Sequence, residues 1–433
     1  MSAPRPVRPL DRPVQGTVRV PGSKSATARL LVAAALADGT SRMDGALVSD
    51  DTLRMVDGLR RLGVPVDLEE RAQRMTVHGS PGAVATVPAT LDVGLAGTVA
   101  RFLTPVAALG TAPVVVDGTP RMRERPMADL VEALVALGAR VEPLGAPGHL
   151  PLRVQGPLTG GAVSVPGNTS SQFLSGLLLA APAMPAGLQV TVTTQLVSRP
   201  YVAMTLGTMA AFGVEVHADG TGRFTVEPGQ RYRPLQTVVE PDASAASYFF
   251  AAAAITGSRL RVAGVQRASS QGDVGFVDLL AAMGATVTEH ADGIEVDGPE
   301  RLSGVEASMA DLSDVAQTLA VVAPFADGPT RIDGIGFIRG KETDRIGMTV
   351  RELRRCGVDA EETSDGMVVR PSAPHGAVVD TAGDHRMAMS FGVLGLRVPG
   401  VVIDDPDVTA KTFPGFFDAL DALGSLPARG PRR

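Results

Sequence analysis

Residues 59–67 read LRRLGVPVD, and the pattern returns as LVALGARVE (134–142), MAAFGVEVH (209–217), LAAMGATVT (280–288) and LRRCGVDAE (353–361), with a truncated copy, DALDALGS, at 418–425. Each segment ends a helix, turns at a glycine and enters a strand. Gly63, Gly138, Gly213, Gly284, Gly357 and Gly424 recur about every 70 residues. They read as helix C-caps, because the left-handed turn after a helix is cheap only for glycine. Upstream of each copy lies a small-residue helix running into an apolar strand: SKSATARLLVAAALADGT, AGTVARFLTPVAALGTAP, SSQFLSGLLLAAPAMPAG, DASAASYFFAAAAITGS, DLSDVAQTLAVVAPFADG and DHRMAMSFGVLGLRVPG. Each opens with polar or glycine residues suited to an N-cap and continues Ala-rich, so its helix can be buried on most sides. The unit is therefore helix, strand, helix, strand, strand. Six units and a leading strand cover nearly all 433 residues, leaving an Arg/Pro tail, PARGPRR, that is expected to fray.

Length predicts two or three domains. With 44% hydrophobic and 20% charged residues, the chain lies far from the composition of disorder. Its longest apolar runs, such as Leu30 to Ala37, fall short of a membrane span. The start, MSAPRPVRPL, has no apolar segment behind its basic residues, which argues against a secretory signal. One cysteine, Cys356, excludes an internal disulfide and a cysteine-built metal site, so a cytoplasmic location is expected. The six histidines show no metal-ligand spacing, and no metal or cofactor is expected. A net charge of −6 argues against nucleic acid as a partner, as do the absence of Trp and the three Tyr available for base stacking. Only Lys24, Lys341 and Lys411 are lysines, every other cation being Arg. Those three positions call for a compact ammonium that a guanidinium cannot replace.

Residues capable of chemistry occupy two places in the repeat. One is the start of the small-residue helix: Ser23-Lys24-Ser25 with Arg29, Gly94 to Arg101, Ser170-Ser171-Gln172, Asp242 to Ser247, Asp311 to Asp314 and Asp384-His385-Arg386. The other precedes the second helix: Ser49-Asp50-Asp51, Arg121 to Pro126, Ser198 to Tyr201, Ser269 to Asp273, Lys341 to Arg345 and Ala410-Lys411-Thr412. Read alone, SSQF is a plain cap and KETDR a solvated helix start. Their shared phase in the repeat is what makes them a site. Helix N-termini attract anions, and Lys24, Arg29, Arg125, Lys341, Arg345, Arg386 and Lys411 add enough positive charge to call for at least two phosphate or carboxylate groups. Asp314 and Glu342 lie among these cations, where their pKa values could be tuned for proton transfer. SKSATAR lacks the spacing of a nucleotide-binding P-loop.

The segments PGSKS, AGT, PRMRERP, SSQFL, QGD, KETDR, DHRMAM and AKTFP together resemble the enolpyruvyl-shikimate-phosphate synthases, over essentially the full length. The resemblance implies an α/β fold of two similar domains, each of three βαβαββ-type repeats, an inside-out α/β barrel hinged by a double crossover. Residues 1–21 plus 239–433 would form one domain and 22–238 the other. It implies a transferase of aromatic amino acid biosynthesis, in which the 5-hydroxyl of shikimate 3-phosphate attacks C2 of phosphoenolpyruvate while C3 is protonated. The tetrahedral intermediate then loses phosphate and a C3 proton. At matching positions, Lys24, Ser25 and Arg29 would hold the shikimate carboxylate side, Lys24 also reaching phosphoenolpyruvate. Ser170, Ser171 and Ser198 would hold the 3-phosphate, Gln172 would lie between the substrates and Tyr201 beside the ring. Gly97, Arg125, Arg345, Arg386 and Lys411 would surround phosphoenolpyruvate. Asp314 would be the base for the hydroxyl, Glu342 the proton donor to C3, Lys341 a contact to the hydroxyls and His385 a support. Preorganised cations would carry most of the catalysis. The resemblance also implies a monomer and inhibition by glyphosate in competition with phosphoenolpyruvate, because position 97 is Gly.

Two positions depart from the family pattern: Leu95 and Phe337 stand where Asn is frequent on the acceptor side. The competing readings are an enolpyruvyl transferase acting on a UDP-sugar or a specialised shikimate-like acceptor, an inactive scaffold, and an RNA-end-processing enzyme of similar repeats. The UDP-sugar enzymes use a Cys loop that this chain lacks, Cys356 lying just before a helix-ending glycine. Cations contributed by both expected domains should repel until anionic substrates bridge them, so substrate-driven closure is expected.

Overall fold

A computed structural model describes residues 3–431. The small-residue segments form six helices: α1 (Lys24–Ala35), α2 (Gly97–Ala107), α3 (Ser171–Ala180), α4 (Ala243–Thr256), α5 (Ala316–Val322) and α6 (His385–Gly395). Ala-rich sequence favours the helix and, lacking bulk, lets it be covered on every side. In α2 and α6 every residue is buried. α1, α2 and α3 pack on one another, and so do α4, α5 and α6. The second helix of a repeat differs: in Asp50–Arg61 and Arg345–Arg355 one face is buried, and the closing arginines, Arg60-Arg61 and Arg354-Arg355, complement the helix dipole.

Each repeat builds a small mixed sheet of constant order. Strand Gly39–Asp44, which follows α1, pairs in parallel with Gln236–Val238 and antiparallel with Arg74–Gly79, which in turn pairs with Val66–Glu69. The same order recurs in four more four-stranded sheets. The leading strands are exchanged at the crossings. Gln15–Val18 runs toward α1 in sequence but pairs with Arg259–Ala263 after α4, whereas Gln236–Val238 runs toward α4 but pairs after α1. The chain thereby forms two compact units, one of the residues up to Pro21 and from Glu240 onward, the other of Gly22–Val239. Each has its own hydrophobic core.

The sixth sheet has three strands, Val378–Val379, Val402–Ile403 and Arg5–Pro6. The truncated last repeat brings no hairpin, and the N-terminal strand takes the antiparallel place beside Val402–Ile403. Two expectations are corrected. Gly63, Gly138, Gly213, Gly284 and Gly357 turn in the left-handed region, but Gly424 does not: it lies in the turn Ala422–Ser425, where no hairpin follows and no reversal is required. The start of the tail is docked, not frayed. Gln15 N donates to Pro427 O at 2.9 Å, Arg429 N to Pro13 O at 2.9 Å, and Arg429 reaches Gly257 O at 2.7 Å and Asp297 at 2.5 Å. Among the described residues no helix is long and apolar enough to cross a membrane.

Candidate active site

In the unit Gly22–Val239 the expected residues gather at the starts of α1, α2 and α3. Ser23 caps α1, its Oγ accepting from Ala26 N at 3.3 Å, which sets Lys24 at the first helical position. Lys24 Nζ meets Asp51 Oδ2 at 3.2 Å, tying it to the start of the second helix. Arg29 lies one turn further on, 1% exposed. Its Nε donates to Thr205 Oγ1 (2.8 Å), Nη1 to Ser25 O (2.8 Å) and Nη2 to Tyr201 O (2.9 Å), and its guanidinium sits over Phe102. Burial pulls its pKa down to about 10, opposed by Tyr201, and leaves it cationic at neutral pH. Arg29 thus locks α1 to the helix Arg199–Ala211 and keeps one hydrogen on each terminal nitrogen for a ligand.

Gly97 opens α2 where the chain passes close to a side chain. A Cβ built there would lie 2.6 Å from Arg125 Nη2 and 2.8 Å from Cζ. The glycine is what allows the Arg125 guanidinium to stack on the helix start, where Nη1 also donates to Leu95 O at 3.3 Å. Gln172, on the first turn of α3, accepts from Arg101 Nη1 at 2.7 Å and donates to Thr98 Oγ1 at 3.0 Å, so α2 aims its amide. Ser170 caps α3, accepting from Gln172 N at 3.3 Å, and Ser170 and Ser171 are buried. Ser198 starts the helix Arg199–Ala211 in the left-handed region, φ +53°. A residue with a Cβ is strained there, a cost typical of functional positions.

In the other unit a single guanidinium organises the cluster. Arg345, 2% exposed, donates from Nε to Asp384 Oδ2 (2.7 Å), from Nη1 to Asp314 Oδ1 (3.1 Å) and from Nη2 to Glu342 Oε2 (2.8 Å). Burial opposes its charge, but these three carboxylates raise its pKa above the usual arginine value. Arg386 Nη2 takes the second oxygen of Asp314 at 2.6 Å. Asp384 caps α6, accepting from Arg386 N at 2.8 Å, and stands 3.5 Å from His385 Nδ1. Behind Arg386 is Tyr248 of α4, whose hydroxyl burial pushes up to about 12 against the pull of Arg386 and Arg345. Lys411, also buried, ends the segment Pro406–Lys411 packed on α6. Lys341 lies over the ring of Phe337 at 5.9 Å, so Phe337 offers its face to a cation where an amide would offer a hydrogen bond.

The structure thus links Asp314, Glu342, Arg345 and Arg386 directly in one unit, and Ser25, Arg29 and Tyr201 in the other, with Lys24 on Asp51, Gly97 against Arg125 and Ser170 against Gln172. Residues that sequence reasoning left without a role are Asp51, Thr98, Arg101, Asp273 and Asp384. All but Thr98 hold charges against the assigned residues, and all five fall at the repeat phases already singled out. Cys356 is buried, and burial pushes its thiol up to about 11, which removes it from reactive chemistry. Chemically, the first cluster offers helix starts with Lys24 and Arg125 for anions. The second offers three carboxylates bonded to one guanidinium, a setting for giving and taking protons beside cations.

The family model described as EPSP synthase (3-phosphoshikimate 1-carboxyvinyltransferase) matches residues 10–420. A 3-phosphoshikimate 1-carboxyvinyltransferase of Trichormus variabilis is 46% identical across 94% of this chain and 96% of that protein. One from Methanosphaerula palustris is 43% identical across 96% and 98%. The solved EPSP synthase of Acinetobacter baumannii superposes with a TM-score of 0.81 at 26% identity, covering 98% of this chain and 99% of the other. Matched over nearly its full length by the family model and by these relatives, this chain belongs to the EPSP synthase family.

Proposed function

We propose that the chain transfers the carboxyvinyl group of phosphoenolpyruvate to the 5-hydroxyl of shikimate 3-phosphate, releasing phosphate. The observation that carries the reading is Arg345, bonded at once to Asp314 and Glu342, because the reaction needs one group to take a proton and another to give one. In this reading the 5-oxygen bonds to C2 of phosphoenolpyruvate as its proton passes to Asp314, and Glu342 protonates C3. The C2–O bond to phosphate then breaks, and a C3 proton leaves to restore the double bond. Arg345 and Arg386 stabilise charge as it shifts between the carboxylates and the substrate, already oriented and shielded from water.

Ser170, Ser171 and Ser198 are assigned to the 3-phosphate, and Lys24, Ser25 and Arg29 to the shikimate carboxylate side. Gln172 and Tyr201 are assigned to the ring, and Lys341 to its hydroxyls. Lys24, Gly97, Arg125, Arg345, Arg386 and Lys411 are assigned to phosphoenolpyruvate, with His385 supporting the cluster. The protein is read as a cytoplasmic monomer. The testing experiment is phosphate release from phosphoenolpyruvate with shikimate 3-phosphate as acceptor, beside Asp314→Ala and Lys24→Met. Release that requires the acceptor and collapses in both variants is expected; acceptor-independent release, or none, would overturn the reading.

A further inference from the structure

Arg29 carries five N–H donors, and three separate acceptors hold it. Two of them lie one turn apart on the helix Arg199–Ala211: Nε donates to Thr205 Oγ1 at 2.8 Å and Nη2 to Tyr201 O at 2.9 Å. The third, Ser25 O, takes Nη1 at 2.8 Å from within α1. Two of the three acceptors are backbone carbonyls, which come with any helix. The Thr205 hydroxyl is a choice of side chain, and neither the resemblance nor the reaction gives it a role. Thr205 is 0% exposed, as is Ser175 of α3, whose Oγ stands 2.9 Å from Thr205 Oγ1. Tyr201 O lies 3.0 Å from the same oxygen. The single hydroxyl hydrogen can go to Ser175 or to Tyr201 O but never to Arg29, which has only donors, so in either state a lone pair faces Nε.

Resting on the reading above, we propose that Thr205 is a positioning residue for the acceptor: its hydroxyl, braced by α3, fixes the rotation at which Arg29 meets the shikimate carboxylate. The rings of Phe102 and Tyr201 stand 5.2 and 5.9 Å from the guanidinium. A ring face attracts the cation without telling one of its edges from another. Hydrogen bonds do tell them apart. With Nε and Nη2 bound side by side to one helix, the remaining hydrogen on each terminal nitrogen forms a pair matched to the two oxygens of a carboxylate. Without the hydroxyl, Nε–H is a buried donor with no acceptor, and the guanidinium gains by turning away from that alignment to find one. The position is therefore set by three helices at once, α1 carrying the arginine, Arg199–Ala211 the hydroxyl and α3 its brace.

The test is steady-state phosphate release in wild type, Thr205→Val, Thr205→Ser and Ser175→Ala. The probes are shikimate 3-phosphate and, as a competitive inhibitor, its analogue with the carboxylate reduced to a hydroxymethyl group. Thr205→Val keeps the shape and removes the oxygen, so KM for shikimate 3-phosphate should rise about tenfold while kcat and KM for phosphoenolpyruvate stay within about twofold. Thr205→Ser, which retains the oxygen, should return KM to the wild-type value. Ser175→Ala withdraws the brace without touching Arg29 and should raise the same KM by a smaller factor, about threefold. The reduced analogue offers Arg29 no carboxylate, so its inhibition constant should be the same in Thr205→Val as in wild type. An unchanged KM for shikimate 3-phosphate in both Thr205→Val and Ser175→Ala, an equal loss with the reduced analogue, or a serine variant as impaired as the valine one would overturn the proposal. Wild-type protein without acceptor-dependent release would overturn the parent reading instead.

Discussion

A methyl group on Gly97 would come within 2.6 Å of Arg125 Nη2, closer than carbon and nitrogen tolerate, and Arg125 is buried. Gly97→Ala should therefore push the guanidinium off the helix start and raise KM for phosphoenolpyruvate at least about tenfold, or about 1.4 kcal/mol. Inhibition by glyphosate should weaken alongside it in steady-state assays. A variant with both constants unchanged would show that Arg125 does not contact the substrate. Removing the other central guanidinium has a different signature. Arg345→Met leaves the buried Glu342 and Asp384 and the partly buried Asp314 without their shared counter-charge, so a loss of about 3–5 kcal/mol is expected in denaturant unfolding, together with activity. Wild-type stability would mean the three carboxylates take up protons at no cost. The candidate residues were legible in the sequence because they recur at fixed phases of a repeat. Their partners were less so: Asp384 reads as an ordinary N-cap, and nothing in its spacing shows that it also accepts from Arg345, 39 positions away.

At the level of elements, the repeat is written in local pattern, while its closure depends on pairings between distant residues. The glycine caps and Ala-rich helices are visible because propensity and capping act over a few residues. The strand Arg5–Pro6 is invisible: two residues, one a proline and preceded by Pro4, carry no strand signal, and their partner Val402–Ile403 lies at the opposite end of the chain. The start of the tail is hidden from sequence for the same reason: PARGPRR has a disordered composition, but Pro427 and Arg429 dock through backbone bonds and the Arg429 side chain, which is 7% exposed. Arg429→Ala should cost about 1–3 kcal/mol, because it strips a partner from the partly buried Asp297 and from Gly257 O. Thermal unfolding measures it, and an unchanged midpoint would restore the frayed tail.

For the molecule as a whole, the decisive feature is the exchange of leading strands, which local sequence does not encode. QGTV (15–18) and QTV (236–238) both precede a capped small-residue helix and carry equivalent patterns, so nothing nearby states which sheet each joins. The outcome is two separate cores, and damage to one should stay in it. Phe249 of α4 packs against Phe413 and Phe416, all within one core. Leu177 of α3 is fully buried in the other. Phe249→Ala should destabilise its unit by about 3–5 kcal/mol and Leu177→Ala its own by about 2–5 kcal/mol. Native-state hydrogen exchange should then show faster opening of α4 to α6 in the first variant with α1 to α3 unaffected, and the reverse in the second. Equal acceleration of all six helices in either variant would mean that the units open as one cooperative body, joined by more than the two chain crossings.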